Sequence, residues 1–314
     1  MPVYTVAGTL LDIDFEVPEL APAPGPSARA WTLRRSDELA GGELERITEL
    51  RLPSGTLWGI IETGDHGYRL TYPDRAEVDV EPASRRVRYR ARPELSEPTV
   101  SHLLVNQVLP YLLVADGVLV LHAACVALDG KAVAFVGPTG MGKSSLAAAF
   151  VQRGAELLAD DIVPLVEQED GPYLVAPVYP GLRLWPDSAA FFAGAADELP
   201  TVADYTDKRR WDGLGGPSPD LRLPLVAVVA PGNEPEPGRP EVRIGRLRGA
   251  DAFMTLAEHS FRLERRGRAR HDADLERFTR LAERVPVHLI EYARRYDLLP
   301  TVLEAIEEAV GPET

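Results

Sequence analysis

A glycine-rich loop followed by a lysine is the first group of residues in this chain whose types and spacing could do chemistry. Residues 137–144 read GPTGMGKS and match the pattern G-x-x-x-x-G-K-[ST] at every fixed position. Glycines in such a loop let backbone N–H groups approach phosphate oxygens without a Cβ in the way. Lys143 can reach β- and γ-phosphates, and the hydroxyl of Ser144 can bind Mg²⁺. The sequence therefore predicts a phosphate site.

Two adjacent aspartates supply a second group. Asp160 and Asp161 follow Lys143 by one predicted helix, a turn and one predicted strand, which returns the chain to the edge of the sheet that carries the loop. One carboxylate would help Ser144 to hold Mg²⁺, directly or through water, and the other would accept a proton from an incoming nucleophile. We therefore expect the loop and the aspartates to form one catalytic site.

Basic residues further along the chain are expected to complete the phosphate site. Arg183 follows a Pro-Gly turn, and residues 208–210 form a tight basic triplet. Charge that develops on a transferring phosphoryl group must be neutralised, and arginine suits that task. We predict that the nucleotide is bound by Gly137, Thr139, Gly140, Met141, Gly142, Lys143, Ser144, Ser145, Arg183, Lys208 and Arg209.

The elements that must position these residues follow an alternating order. Residues 117–137 predict two strands joined by the turn Asp129-Gly130, and the second strand leads into the loop. The segment SSLAAAFVQRG predicts a helix that ends at Gly154, and AELLADDIVPLVE predicts the next strand. Residues 223–231 predict a further strand and PTVLEAIEEAV a short final helix. This order indicates an α/β fold, a sheet with helices packed on it.

The first part of the chain has a different pattern. Residues 1–97 contain short, partly alternating segments separated by turn residues, and no catalytic group of residues. We predict a small β-rich N-terminal domain over 1–97, for substrate positioning or assembly, and a P-loop domain over 98–314.

Composition narrows the possible partners. The chain has 48 acidic and 34 basic residues and a formal net charge of −14, so nucleic acid is not an expected partner. The most apolar window, 103–121, contains Asn106, Gln107, Pro110 and Asp116, which a membrane span tolerates poorly. Without a signal peptide at its start, and with Cys125 as its single cysteine, the chain is expected to be cytoplasmic and without a membrane partner.

Around the glycine loop and the two aspartates the chain resembles a known family. Residues 121–165, LHAACVALDGKAVAFVGPTGMGKSSLAAAFVQRGAELLADDIVPL, resemble the catalytic core of the HPr kinase/phosphorylase family, and more closely its shorter HPr kinase-like serine kinases. The family has a histidine before the loop and closes the unit with R-G-x-x-L-x-A-D-D, which Arg153-Gly154, Leu157 and 159–161 match. The resemblance covers about residues 100–190, with further similar segments at 179–188, 207–211 and 296–306. Phosphoenolpyruvate carboxykinases share the general arrangement.

The resemblance implies particular roles. Asp161 would be the base that takes the proton of a substrate hydroxyl, Asp160 would lie on the Mg²⁺ side, and His122 would orient a carboxylate or tune its pKa. Together with Lys143 these are the predicted catalytic residues, with Ser144 and Asp160 as the metal ligands and ATP and Mg²⁺ as cofactors. His122 is followed by Ala123-Ala124 where HPr kinases have glycine. The later segments tied to HPr recognition and phosphorolysis have no match here, so HPr is not the expected substrate.

Three functions remain open. The favoured one is a kinase for a hydroxyl, with serine of a peptide or protein as the leading acceptor, because some members of the similar subgroup tailor ribosomally made peptides such as lasso peptides. A kinase for a small hydroxylated metabolite would use the same loop and base. A nucleotide-binding regulatory protein would need neither carboxylate. A homo-oligomer is a further expectation, since HPr kinases are hexamers.

Overall fold

The structure is a computed structural model with mixed α/β content and several sheets. It describes residues 1–23, 25, 27, 29–52, 54–179, 181–194, 196–214, 216–236, 241–263 and 268–311, with the backbone alone at 268–272. The chain forms two compact units: the first comprises Met1–Val118, Val202–Asp207 and Phe261–His271, and the second comprises Leu119–Thr201, Lys208–Ser260 and Asp272–Thr314. The first unit thus continues beyond residue 97 to Val118, and the division at 97/98 stays a prediction.

The first unit is built on one nine-stranded sheet. Its strands are β1 (Val3–Val6), β2 (Thr9–Ile13), β3 (Ala21–Pro22), β4 (Trp31–Arg35), β5 (Glu45–Arg51), β6 (Leu57–Gly64), β7 (Gly67–Tyr72), β8 (Ala76–Glu81) and β9 (Arg86–Ala91). The spatial order is β3-β1-β2-β4-β9-β8-β7-β6-β5. Alternation determines which face is buried: in β7, Tyr68, Leu70 and Tyr72 are buried and the residues between them are not. Among the short, partly alternating segments of the first part of the chain, those within residues 57–91 form strands β6 to β9.

One helical run follows this sheet, and a proline shapes it. It consists of α1 (Glu97–Leu103), a π-helical segment (Leu104–Val108) and α2 (Leu109–Ala115). Pro110 has no N–H and its ring would clash with the carbonyl of residue 106 in a regular α-helix. A π-helical segment just before the proline is a known way to accommodate such an interruption. The helical run therefore has a local irregularity at Leu104–Val108 that the spacing of its apolar residues does not reveal.

The second unit contains a mixed sheet and the remaining helices. Its main strands are β10 (Leu119–Leu121), β11 (Ala123–Leu128), β12 (Lys131–Val136), β13 (Glu156–Ala159), β14 (Val163–Val166), β15 (Leu174–Val175), β19 (Leu223–Pro231), β20 (Val242–Leu247) and β21 (Val287–Tyr292). Its helices are α3 (Lys143–Gln152), α4 (Pro186–Ala193), α5 (Gly249–Glu258), α6 (Arg268–Arg284) and α7 (Leu299–Val310). The order is β10-β14-β15-β19-β12-β11-β13, with β21 paired to both β19 and β20. A separate three-stranded sheet, β16-β18-β17, is formed by β16 (Leu182–Leu184), β17 (Thr201–Ala203) and β18 (Thr206–Trp211).

Helices cover both faces of this sheet. On β12, Ala132, Ala134 and Val136 belong to the core that contains the apolar residues of α5 and α6, whereas Val133 and Phe135 belong to the core that contains those of α3 and α7. Strands buried on both faces read as continuous apolar runs, which is why VAFV and LPLVAVVAP carry almost no polar residue. The predicted arrangement of a sheet with helices packed on it is therefore confirmed for this unit.

The predicted elements around the loop are confirmed except for two strands. The first strand of the predicted hairpin is divided at His122 into β10, which pairs with β14, and β11, which pairs with β12. Asp129 and Gly130 have φ values of 48° and 75° and form the tight turn between β11 and β12. Helix α3 ends in a Schellman motif, in which the N–H of Gly154 donates to Val151 and that of Ala155 to Phe150. The single strand predicted over AELLADDIVPLVE is wrong, because the chain turns at residues 160–162 and forms β13 and β14 separately.

Candidate active site

Three strand ends meet at one edge of the second unit's sheet. Strand β11 lies between β12 and β13 and is antiparallel to both, with Ala123 opposite Val136 and Cys125 opposite Ala159. Strands β12 and β13 therefore end at the edge where β11 begins. The glycine loop follows β12, the aspartates follow β13, and His122 precedes β11. Pairing of the strands alone thus brings the three predicted groups together.

The glycine loop is held in a conformation that needs its glycines. Gly137, Gly140 and Gly142 have φ values of 150°, 86° and 89°, a region that residues with a Cβ rarely adopt. The amine of Lys143 donates to the carbonyls of Gly137 (2.7 Å) and Pro138 (3.2 Å), so the lysine is turned back over the loop. Helix α3 begins at this lysine and directs the positive end of its dipole at the loop.

A second set of hydrogen bonds connects the loop helix to the first aspartate. Oγ of Ser144 donates to Oδ1 of Asp160 over 3.0 Å, and the backbone N–H of Arg183 donates to Oδ2 of the same carboxylate over 2.9 Å. The guanidinium of Arg183 donates to the backbone carbonyl of Asp160 (3.1 Å), and it lies over the ring of Tyr179. Asp160 and Arg183 are both buried, so their relative positions are well determined by these contacts.

The second aspartate turns towards a set of cations. Asp161 has a φ of 71°, in the left-handed region, and its Oδ2 lies 3.7 Å from Nε of Arg183. Burial by itself would raise the pKa of Asp161, but the charges of Lys208 and Arg183, and to a lesser extent that of Lys143, outweigh it and hold the pKa below its usual value. Asp161 is therefore ionised at physiological pH.

Burial dominates the other titratable groups. Burial raises the pKa of Asp160, and the charge of Asp161 raises it further. Burial also lowers the pKa of Lys143, although the charges of the two aspartates act in the opposite direction. Burial, together with the charge of Lys143, lowers the pKa of His122 to about 4. His122 is therefore neutral at physiological pH, and its backbone N–H donates to the carbonyl of His259 (2.7 Å).

These residues surround one cleft in the second unit, of about 880 Å³ including its open mouth. Of the predicted site residues it is lined by His122, Thr139, Gly140, Gly142, Lys143, Ser144, Ser145, Asp161, Arg183 and Lys208. Four predicted residues do not line it. Gly137 is buried in the loop, the sulfur of Met141 accepts from the guanidinium of Arg294, and Asp160 is buried behind Ser144. Arg209 donates to the carbonyl of Leu199, because neighbouring residues of β18 point to opposite sides and only Lys208 faces the cleft.

Sequence patterns missed the other residues that line this cleft. They are Leu184, Trp185, Asp187, Ser188, Tyr292, Arg294, Arg295, Tyr296 and Leu299. Residues 293–296 follow β21, which ends at Tyr292 and is parallel to β19 and through it to β12. The end of β21 and the residues after it therefore emerge at the same edge as the loop. A signal did exist, because a polar and aromatic run directly after a buried parallel strand indicates a ligand edge. Tyr292 also crowds the loop: a Cβ on Gly142 would lie 3.3 Å from its hydroxyl oxygen.

The residues present fit a magnesium ion that also binds phosphate. In the part of the chain that the structure describes, no group of three or more His, Cys, Asp or Glu side chains is arranged to hold a metal. Mg²⁺ needs no such group, since it commonly takes one or two protein oxygens and completes its shell with water and phosphates. The pair of oxygens on Ser144 and Asp160 matches that requirement.

Among the described residues no helix is long and apolar enough to cross a membrane.

Comparisons with known proteins find likenesses among solved structures. No protein-family model and no curated protein matches the sequence. Among solved structures, the chain is similar to the Hpr(Ser) kinase/phosphatase from Coxiella burnetii, with 16% sequence identity and a TM-score of 0.31, over 60% of this chain and 97% of the other. A likeness with so low a TM-score supports no inference about function. The function is inferred from the residues of this chain.

Proposed function

We propose that this chain is an ATP- and Mg²⁺-dependent phosphotransferase that phosphorylates a hydroxyl group, with serine of a peptide or protein as the acceptor. The observation that carries this proposal is the placement of Asp161. Its carboxylate lines the cleft that the glycine loop and Lys143 also line, and it lies among Arg183, Lys208 and His122. A site for nucleotide binding alone needs no ionised carboxylate where the terminal phosphate would lie.

The cations of the cleft would bind and neutralise the triphosphate. Lys143 is expected to exchange its bonds to the carbonyls of Gly137 and Pro138 for phosphate oxygens. Arg183 and Lys208 lie on the side of Asp161 and would face the γ-phosphate. Most of the catalytic effect in phosphoryl transfer comes from positioning and from such charge stabilisation. When bound, Mg²⁺ on Ser144 and Asp160 would neutralise charge on the phosphate oxygens.

Asp161 would serve as the base. The acceptor oxygen bonds to the γ-phosphorus, the bond from that phosphorus to the β–γ bridging oxygen breaks, and the bridging oxygen leaves with ADP while the hydroxyl proton passes to Asp161. A strongly lowered pKa makes a weak base. However, Lys208 and Arg183, which lower the pKa, are the groups that a triphosphate would neutralise, so binding of the donor should raise it. Neutral His122, beside Asp161, would position its carboxylate.

The acceptor assignment is supported by the resemblance of residues 121–165 to HPr kinase-like serine kinases. The site itself does not distinguish a peptide serine from a hydroxyl of a small metabolite, since the loop and the base would be the same. Acceptors of both kinds therefore belong in the test.

The test is transfer of label from γ-labelled ATP in the presence of Mg²⁺, with serine peptides, proteins and small hydroxylated metabolites as acceptors. The variant Asp161→Asn should lose at least about a hundredfold in rate, because general-base catalysis contributes factors of that order, and should still bind ATP. The matched control is Asp129→Asn. Asp129 is also an aspartate at positive φ, but it lies in the β11–β12 turn at the opposite edge of the sheet.

Each result decides between the candidate functions. Label on an acceptor with wild type and with Asp129→Asn, but not with Asp161→Asn, supports the kinase and its base. ATP binding without label on any acceptor favours a nucleotide-binding regulatory protein. Equal transfer by Asp161→Asn and wild type would remove Asp161 from the mechanism.

A further inference from the structure

A chain of hydrogen bonds leads away from the proposed reaction centre along the cleft. Oγ of Ser145 lies 3.2 Å from Oγ of Ser188, which lies 3.0 Å from the hydroxyl of Tyr296. That hydroxyl donates to Oδ2 of Asp187 over 2.9 Å. All four residues line the cleft, and none of them belongs to the loop motif or to the aspartate pair. These hydrogen bonds therefore define a part of the cleft that the proposed phosphoryl transfer does not use.

The ring of Tyr296 has a well-defined position in this part of the cleft. Phe191 stacks on it with 4.1 Å between centroids and 9° between planes, and Phe192 meets it edge-on at 5.9 Å. Neither phenylalanine lines the cleft, whereas Tyr296 does. The two phenylalanines thus hold the ring of Tyr296 in place at the wall of the cleft. An aromatic surface held in this way is suited to stack another flat ring.

The direction of the bound phosphates relates this surface to the loop. Ser144 and Ser145 are neighbours on α3, and successive side chains on a helix point about 100° apart. Ser144 is turned to Asp160, on the side of the proposed γ-phosphate, and Ser145 is turned to Ser188. A triphosphate whose terminal group lies towards Asp161 and whose chain crosses the N-terminus of α3 would direct its other end towards Ser188 and Tyr296.

We propose that the nucleobase of the phosphate donor binds in this second part of the cleft, stacked on Tyr296, with its amino group donating to Asp187. This inference rests on the proposed function, since it concerns the other end of the same ligand. Oδ2 of Asp187 is engaged by Tyr296, and Oδ1 accepts no hydrogen bond from the described residues. Oδ1 is therefore able to accept from an exocyclic amino group such as that of adenine. The carboxylate would also repel phosphate, which favours a single orientation of the nucleotide.

The test compares two ligands that share phosphates but differ in the base. Binding of ATP and of inorganic tripolyphosphate, each with Mg²⁺, is measured calorimetrically on the full chain. The variant Tyr296→Ala should weaken ATP binding about 10- to 100-fold, the range expected for one stacked base, and change tripolyphosphate binding less than about twofold. The matched variant Tyr296→Phe keeps the ring and should bind ATP within about threefold of wild type.

A second comparison addresses the amino group. Wild type should bind ATP more tightly than the triphosphate of purine riboside, which is adenosine without that group. In Asp187→Ala this preference should disappear.

The outcomes separate the two proposals. If neither ATP nor tripolyphosphate binds to the wild type, the proposed function fails and this inference fails with it. If both bind and Tyr296→Ala weakens them equally, the phosphate site stands and the base site is rejected. Retention of tripolyphosphate binding by Tyr296→Ala shows that the variant is folded, so a selective loss of ATP binding cannot come from unfolding.

Discussion

Ser144 and Asp160 are connected by a direct hydrogen bond of 3.0 Å between Oγ and Oδ1. The two residues come from different elements, the first turn of α3 and the end of β13, and the bond joins the glycine loop to the aspartate pair. The other carboxylate oxygen of Asp160 accepts from the backbone of Arg183, so one buried carboxylate connects three segments of the site.

This relationship predicts that Asp160 governs metal dependence. In Asp160→Ala the hydroxyl of Ser144 loses its acceptor and the cation loses a negative oxygen. We expect the Mg²⁺ concentration for half-maximal transfer to rise about 10- to 100-fold, the usual range for loss of an orienting carboxylate. The measurement is a Mg²⁺ titration of the rate at saturating ATP. An unchanged Mg²⁺ requirement would exclude Asp160 from the metal site.

A second prediction concerns the close approach of Tyr292 to Gly142. The variant Gly142→Ala puts a Cβ 3.3 Å from the tyrosine hydroxyl and forces an alanine to a φ of 89°. We expect a loss of about 1–2 kcal/mol in the free energy of unfolding from the backbone term alone, together with weaker ATP binding. Tyr292→Phe removes the crowded oxygen and should restore part of the ATP affinity of Gly142→Ala. The double variant is compared with both single variants by calorimetry, and a double variant that binds no better than Gly142→Ala would show that crowding plays no part.

A third prediction follows from the lowered pKa of His122. Its pKa in the folded protein is about 4, below the ordinary value of 6.5. As the pH falls from 6.5 towards 4, the unfolded chain takes up the proton first, so stability from this residue is complete above about pH 6.5 and declines as the pH approaches 4. The variant His122→Gln should flatten the decrease of the urea midpoint over this range. A ring resonance of His122 that titrates near pH 6.5 in the folded protein would contradict the expectation.

A fourth prediction contrasts two ion pairs on strand β8 of the first unit. The carboxylate of Asp79 is fully buried and accepts from Nε of Arg69 (2.7 Å) and from the backbone of Ala40 (2.6 Å). The pair of Glu77 with Arg90, two residues away on the same face, is 35% and 50% exposed. Asp79→Ala leaves a guanidinium without its partner and should cost about 3–5 kcal/mol, whereas Glu77→Ala should cost less than about 1 kcal/mol. Urea unfolding of the full chain checks both, and similar costs for the two variants would refute the contrast.

The sequence was most informative where residue type and backbone geometry depend on each other. The loop glycines, the turn at Asp129-Gly130 and the apolar run of β19 all predict their own local conformation. The break between β13 and β14 was missed because the residues on both sides of Asp160 and Asp161 are apolar and predict a strand. The spacing of apolar residues does not show that Asp161 has a left-handed backbone. Tyr292 and Tyr296 were missed as site residues although a polar and aromatic run marks the end of β21. Only the parallel pairing of β12, β19 and β21 shows that this run lies beside residue 142.

The left-handed backbone of Asp161 has a consequence for how the site can change by mutation. A regular strand would point neighbouring aspartates to opposite faces of the sheet, and the turn at a φ of 71° is what brings the second one to the cleft. Only glycine, asparagine and aspartate adopt that φ readily. Asparagine and glycine are each one nucleotide away from an aspartate codon. A single base change can therefore remove the proposed base while the fold and the phosphate loop persist, which would leave a protein that binds the nucleotide but no longer transfers its phosphate.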